Sequence, residues 1–289
     1  MEAMQKMERI NNFSLSEQLA YSTVRLICEL DNGGTSIGTG YVMQFLHNKE
    51  NNSCKNVVIT NQHVIENSNK ITMFFNINVN GKPVDTEKRG IVIPKETYQQ
   101  LIVKHPEVDL CAIDITSMIL AWQNMYKTDL YILPIPMEAI PTQNDLEDLK
   151  QIEDIVMVGY PIGLMDDYNN KPIFRKGITA THPKFNSNNT KEFLIDIACF
   201  HGSSGSPVFV LNEGSYSDKF CNVRIGGRIM LLGTVYQNRI ESTNGEIRVM
   251  NIPTSSIPYT VTGIPINIGA VIKSETLYDL ENMIKSKQV

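Results

Sequence analysis

Short runs rich in β-branched and aromatic residues recur along the first 115 positions, separated by turn-forming residues. The six runs lie at residues 23–30, 36–45, 55–60, 70–79, 90–94 and 108–115. Gly and Asn turns stand between them, and no ten-residue helical pattern intervenes. This pattern predicts six antiparallel strands in a barrel or sandwich, and it argues against βαβ units.

A second set of strand-like runs follows after residue 150. These six runs lie at residues 154–161, 172–183, 192–200, 206–211, 223–239 and 247–253. Residues 116–150 differ from both sets, because they contain three prolines and an acidic stretch. We interpret 116–150 as a connector with a short helix between two strand-rich halves.

The two ends of the chain carry helical patterns. A short helix is expected at 14–20 in the N-terminal segment. Near the C-terminus Leu277, Leu280, Met283 and Ile284 follow helical spacing over 274–287, with Ser274 as a candidate cap. The predicted organisation is a single unit with five parts, which are an extension (1–20), a first half (21–115), the connector (116–150), a second half (151–270) and a terminal helix (271–289).

Composition narrows the function classes. A chain of 289 residues with 42% hydrophobic content can bury a sizeable core. Its net charge of -5, without any Lys/Arg cluster, argues against nucleic acid or a membrane surface as partner. We find no signal-peptide pattern and no run of eighteen apolar residues, which predicts a cytoplasmic protein.

The cysteines and the acidic residues suggest neither a metal nor a cofactor. Five cysteines are an odd number, and they are scattered without C-x-x-C spacing, so we expect reduced side chains. Asp166, Asp167, Asn169 and Asn170 could suggest calcium, but we prefer a solvated loop. No cofactor and no metal are therefore expected.

The run His201-Gly202-Ser203-Ser204-Gly205-Ser206-Pro207 carries the strongest chemical indication. Ser204 is the candidate nucleophile, because the glycines on either side permit a tight turn that projects its hydroxyl. Nearby N–H groups could then stabilise an oxyanion. Gly/Ser/Pro clusters are also common in ordinary loops, so the function of this run depends on a base elsewhere.

Among five histidines His63 has the most favourable setting, because it follows a predicted buried strand at the point where that strand turns. An imidazole base needs a carboxylate to fix its tautomer. We expect Asp109, at the start of an apolar strand, to supply it. Asp114 is the rival, and we rank it lower because strand alternation would place it on the opposite face.

The order His63, Asp109, Ser204 is the chymotrypsin-type order among serine hydrolase triads. Several further motifs match in sequence order. They are GTG at 38–40, TNQHV around His63, DLCAI from Asp109, GYPIGL at 159–164, RKGITA at 175–180 and IDIACFHGSSGSPVF at 195–209. Over about residues 20 to 270 the chain resembles trypsin-like serine peptidases of the chymotrypsin fold. It is most similar to HtrA-like and short trypsin-like peptidase domains without a PDZ module.

The resemblance implies an all-β fold of two six-stranded antiparallel barrels with a C-terminal helix. It also implies a triad of His63, Asp109 and Ser204 in the cleft between the barrels. The N–H groups of Gly202 and Ser204 would form the oxyanion hole. A further set of residues would contact the substrate, namely Ala198, His201, Gly233, Thr234, Val235 and Tyr236.

The expected function is that of an intracellular serine endopeptidase acting on a protein or peptide substrate. The resemblance implies that Ala198 lies at the base of the specificity pocket. Alanine provides no anion there, which predicts preference for an uncharged substrate side chain. Three residues depart from the family pattern beside the nucleophile, namely His201, Ser203 and Ser206. The alternative is a catalytically silent relative that binds a peptide or a regulatory protein partner in the same cleft.

Overall fold

A computed structural model describes residues 13–51, 53–246 and 259–287, and it describes side chains for these residues except 237–266. The predicted strand at 247–253 lies outside the described residues. The chain begins with α1 (Leu15–Ser22), where Ser14 and Glu17 form a reciprocal capping box. This helix matches the one expected at 14–20.

The first half of the chain is built from seven strands and two short helices. The strands are β1 (Thr23–Leu30), β2 (Thr35–Asn48), β3 (Ser53–Thr60), β4 (Ser68–Val79), β5 (Lys82–Pro94), β6 (Ile102–Lys104) and β7 (Cys111–Asp114). The helices are α2 (Gln62–Ile65) and α3 (Lys95–Leu101). Alternation sets the buried face, since Val24, Leu26 and Cys28 of β1 are buried and their neighbours Arg25 and Ile27 less so.

The six-stranded closed barrel expected from the sequence is not confirmed for these strands. They form a nine-stranded sheet whose main path is β5-β4-β1-β2-β3-β7-β6. The two additional strands come from the segment 116–150, as β8 (Asp129–Tyr131) pairs with β4 and β9 (Ile135–Pro136) pairs in parallel with β2. β2 and β4 are long enough to pair with three strands each, so part of their length is used outside the expected barrel.

Residues 116–150 therefore contribute more structure than a connector with one short helix. They contain α4 (Thr116–Tyr126), β8, β9 and α5 (Gln143–Glu147). The helix α5 begins with a capping box between Thr142 and Asp145. Through β8 and β9 this segment belongs to the sheet of the first half.

The second half is a closed barrel of six strands, as the sequence predicted. Its order is β10-β11-β12-β17-β16-β13. The strands are β10 (Asp154–Gly159), β11 (Ile173–Thr179), β12 (Glu192–Asp196), β13 (Pro207–Asn212), β16 (Arg228–Glu246) and β17 (Tyr259–Lys273). β14 (Ser215–Ser217) and β15 (Val223–Ile225) form a separate hairpin. The residues of β15 were expected to begin the strand predicted at 223–239, which instead starts as β16 at Arg228.

A shared hydrophobic core joins the halves. It combines Tyr41 and Phe45 of β2 with Phe209 of β13 and with buried residues of the last helix, α6 (Thr276–Ser286). The N-cap of α6 is Glu275 rather than the expected Ser274, whose carbonyl instead accepts a hydrogen bond from Leu277 N–H. Among the helices of the described ranges, none is long and apolar enough to cross a membrane.

A buried ion pair in the second half gives a test of this packing. Glu153 and Arg228 meet at 2.7 Å, and only 3% and 8% of their side chains are exposed. We expect Glu153→Ala to lower the free energy of unfolding by about 3–5 kcal/mol, because it leaves a buried guanidinium without its carboxylate. Urea denaturation measures this change.

The neighbouring Asp154 provides the matched control. It pairs with Lys176 at 2.9 Å, but both side chains are exposed. Asp154→Ala should therefore cost less than about 1 kcal/mol. Equal losses for the two variants would contradict the assignment of Glu153 to a buried pair that stabilises the barrel.

Candidate active site

His63 and Asp109 contact each other directly. β3 ends at Thr60, and His63 lies in the short helix α2 that follows it. Its ring Nδ1 donates to Asp109 Oδ2, and its backbone N–H donates to Asp109 Oδ1 at 3.1 Å. Both carboxylate oxygens are therefore used to hold one residue, which fixes the ring so that Nε2 is left for chemistry.

Asp109 lies in a loop and not at the start of a strand, because β7 begins only at Cys111. The two side chains before His63 hold this loop. Asn61 Nδ2 donates to Asp109 O at 2.7 Å, and Gln62 Nε2 lies 2.7–3.1 Å from the carbonyl oxygens of His105, Val108 and Leu110. We did not assign a role to Asn61 or Gln62 from the sequence, although both lie within the TNQHV motif.

The rival carboxylate Asp114 is engaged elsewhere. Its Oδ2 pairs with Lys55 Nζ at 3.0 Å, and its Oδ1 accepts from Thr116 N–H at the start of α4. Asp114 thus stabilises the connection between β7 and α4, while Asp109 is the carboxylate that contacts His63.

Ser204 lies in a tight turn between β12 and β13, and it is half-buried. The next residue, Gly205, has φ +85°, and a Cβ there would lie 1.9 Å from Thr39 O. Only glycine fits this position, because any side chain would displace the turn from the first half. The backbone of Ser204 is also anchored, since its carbonyl accepts from Thr39 N–H at 3.0 Å.

Thr39, in the Gly-Thr-Gly run of β2, holds the turn across the two halves. Its Oγ1 donates to Gly202 O at 2.8 Å and accepts from Tyr160 N–H at 3.0 Å. Its own carbonyl accepts from Thr60 Oγ1 at 2.7 Å. Thr39 and its three partners Gly202, Tyr160 and Thr60 are all buried. Each of these hydrogen bonds replaces one that water would make in the unfolded chain. The sequence contained the motif, but the partners of Thr39 are distant in the chain.

Two N–H groups of the turn are left for a ligand. Those of Ser203, Gly205 and Ser206 donate to backbone carbonyls. Those of Gly202 and Ser204 donate to no acceptor that the structure records among the residues it describes. Gly202 has φ +84°, in the left-handed region that glycine adopts most readily. This pattern of used and unused donors is what an oxyanion hole requires.

His63 and Ser204 line the same cleft, which has a volume of about 360 Å³. Other lining residues include Ile37, Ile162, His201 and Gly202. None of the described residues that line it is Asp, Glu, Lys or Arg. His201, one of the three departures from the family pattern, is exposed at the cleft.

Ile162, from the GYPIGL motif, also lines the cleft, although its sequence context did not predict a role for it. It has φ +55°, which is strained for a β-branched residue and costs about 1–2 kcal/mol. Its N–H donates to His201 O, and its side chain is 65% exposed. The loop after β10 is therefore held against the turn that carries Ser204.

The other two departures, Ser203 and Ser206, are structural in this arrangement. Ser203 is buried, and its Oγ accepts from Phe200 N–H at 3.1 Å. Ser206 is fully buried beside Gly159, where a Cβ would lie 2.1 Å from Ser206 Oγ. The absence of a side chain at 159 thus makes room for the serine at 206. Nearby Cys199 is no competing nucleophile, because burial raises the pKa of its thiol to about 12.

The remaining predicted substrate-binding residues are not brought to this cleft. Ala198 and the segment 233–236 are not among its lining residues. Thr234 and Val235 are buried in β16, and Thr234 Oγ1 hydrogen-bonds Tyr41 OH at 2.7 Å between the halves. Gly233 packs against Ile272 of β17, and Tyr236 packs on the shared core. Their contact with a substrate stays a prediction.

The sequence also matches a known family. Residues 38–215, more than half of the chain, match the model of the trypsin-like peptidase domain. The chain belongs to this family. The resemblance inferred from the motifs is thereby confirmed. No curated protein matches the chain.

The chain is also similar to several solved peptidase structures. The HtrA-type protease AlgW with tripeptide is 17% identical with a TM-score of 0.48, and the match covers 93% of this chain and 61% of that one. The serine endoprotease from Yersinia pestis is 15% identical with a TM-score of 0.47, and the match covers 93% of this chain and 64% of that one. The active form of the Rv3671c protease from M. tuberculosis is 15% identical with a TM-score of 0.46, and the match covers 92% of this chain and 81% of that one. The chain thus spans about three-fifths of the length of the first two.

The hydroxyl of Thr39 offers a test of the link between the halves. Thr39→Val keeps the shape but leaves Gly202 C=O and Tyr160 N–H without their partner. We expect the free energy of unfolding to fall by about 1–3 kcal/mol. Thr39→Ser, which keeps the hydroxyl, should lose less. A urea series in which both variants lose the same amount would show that the hydroxyl does not matter.

Proposed function

We propose that this trypsin-like domain is a serine endopeptidase in which Ser204 is the nucleophile, His63 the general base and Asp109 the residue that orients His63. The proposal depends mainly on one observation. His63, which is paired with Asp109 in the first half, and Ser204 of the second half line one cleft beside two unused N–H groups. Nucleophile, base, orienting carboxylate and oxyanion donors are the set that acyl transfer needs.

The chemistry follows from these positions. His63 Nε2 takes the proton of Ser204 Oγ as that oxygen bonds to the substrate carbonyl carbon. The carbonyl oxygen becomes an oxyanion, which the N–H groups of Gly202 and Ser204 stabilise. His63 then gives its proton to the leaving amine, and the C–N bond breaks to leave an acyl-enzyme. Water, deprotonated by His63, hydrolyses the ester and restores Ser204.

We further propose that the substrate side chain next to the scissile bond is uncharged. Ala198 supplies no carboxylate at the predicted base of the specificity pocket. Two residues further along, the Phe200 ring has the guanidinium of Arg175 5.1 Å from its centroid. We take this cation to border the predicted pocket outside the cleft lining, where it would disfavour lysine or arginine in the substrate.

The substrates are proposed to be proteins or peptides of the cytoplasm. All five cysteines are free, and three of them are buried. This state supports a reducing compartment, where thiols persist. A regulatory protein partner is compatible with the same cleft, but no contact in the structure favours one.

Labelling with a fluorophosphonate tests the nucleophile. The native chain should become labelled, with the adduct mapped to Ser204 by mass spectrometry, and Ser204→Ala should lose the label completely. His63→Ala should slow labelling by about 10³-fold or more, because the hydroxyl then has no base.

Ser203→Ala is the matched control, since it removes the adjacent hydroxyl in the same turn. Ser203 is buried and hydrogen-bonded to Phe200, so its loss should leave the label on Ser204. If well-folded native protein takes up no label, the peptidase proposal is wrong. The silent peptide-binding module is then the better description.

Substrate preference is tested with a peptide library and native protein beside Ser204→Ala. We expect cleavage after uncharged residues and little cleavage after Lys or Arg. Arg175→Ala should raise cleavage after basic residues, because it removes the neighbouring cation. Efficient cleavage by the native chain only after basic residues would contradict the proposed pocket.

A further inference from the structure

The loop that carries Asp109 connects β6 to β7 and depends on one buried side chain, His105. The ring of His105 is 2% exposed. Its Nδ1 accepts hydrogen bonds from two consecutive backbone groups of the loop, Glu107 N–H at 3.1 Å and Val108 N–H at 3.2 Å. His105 N–H in turn donates to Leu110 O. The imidazole thus holds the loop just before Asp109, and the backbone N–H of the same residue holds it just after Asp109.

The other side of the same ring reaches the last helix. His105 Nε2 lies 3.3 Å from Oδ2 of Asp279 in α6. Since Nδ1 accepts from two N–H groups, it carries no hydrogen, so Nε2 is the protonated nitrogen and donates to the carboxylate. Partial burial alone would raise the pKa of Asp279, but hydrogen bonds from His105 and Lys191 bring it below its ordinary value. Asp279 is therefore an ionised acceptor at neutral pH.

The helix that carries Asp279 is held firmly against the first half. Leu277, Leu280 and Ile284 are buried in the shared core. On the same helix Glu281 Oε1 accepts from Leu46 N–H at 2.7 Å. Asp279 is therefore a fixed point, since a helix packed in a core moves less than a loop.

We propose that His105 is a positioning residue for Asp109 and that Asp279 holds it in place. The proposal rests on the peptidase function inferred above and deepens it. The C-terminal helix fixes His105, and His105 sets the loop. The loop then sets the carboxylate that orients His63. No direct contact between Asp279 and the cleft is needed for this effect.

The test changes Asp279 and His105 separately. Asp279→Ala should lower kcat for a peptide substrate by about 10- to 100-fold with little change in KM, because small misplacements of a catalytic group are costly. Asp279→Asn keeps an oxygen acceptor and should recover most of the activity. His105→Asn keeps an acceptor near the Nδ1 position but cannot reach Asp279, so its kcat should also fall.

Glu281→Ala is the matched control. It removes a hydrogen bond between the same helix and the first half, but it does not touch His105. Its Tm should fall about as much as that of Asp279→Ala while kcat stays within about twofold of the native value. If kcat follows Tm equally in both variants, the link is merely structural and the proposal is overturned.

A readout without substrate separates this inference from the peptidase proposal. The Nδ1 proton of His63, bonded to Asp109, can be followed by NMR. Asp279→Ala or His105→Asn should shift or broaden this resonance, and Glu281→Ala should leave it unchanged. The same comparison decides the inference even if the native chain cleaves nothing. An unchanged resonance in both variants would overturn it.

Discussion

Docking of the Ser204 turn on Thr39 is the contact on which the candidate site depends. Thr39 lies in the sheet of the first half and binds the backbone on both sides of Ser203, through Gly202 O and Ser204 O. Because the bonds are buried, water does not compete for them, and a broken one leaves an unpaired polar group. The close approach also needs Gly205, whose hydrogen atom faces the carbonyl of Thr39. One small interface thus sets where Ser204 lies relative to His63.

Local patterns predicted the strands well because period-two alternation and turn residues are local properties. The closed barrel of the second half shows this, since five of its six described strands lie close to predicted runs. The sixth, β17, lies beyond the last predicted run. The nine-stranded sheet could not be predicted in the same way. It depends on β8 and β9, short segments within a proline-containing stretch that become strands only through pairing with β4 and β2. Such pairing is a tertiary effect, and single-residue propensity carries little information about it.

The candidate site, like the fold, could be predicted from the sequence only in part. Chain order and motif predicted His63, Asp109 and Ser204 as the catalytic residues, and the structure brings His63 to Asp109 rather than to Asp114. The reasoning behind that choice was partly wrong, because Asp109 lies in a loop where strand alternation does not apply. The supporting residues, Gln62, His105 and Asp279, were not found, since each acts on atoms of the loop from a position whose proximity only the fold reveals.

The position of β17 in the barrel has a consequence for the order of events during synthesis. This strand pairs with both β12 and β16 and is the last strand of the barrel in the chain. A ribosome must therefore have made residue 273 before the barrel can close and hold the Ser204 turn in place. Until then the growing chain lacks an assembled cleft. The candidate site is therefore assembled only after every strand of its own barrel has been synthesised.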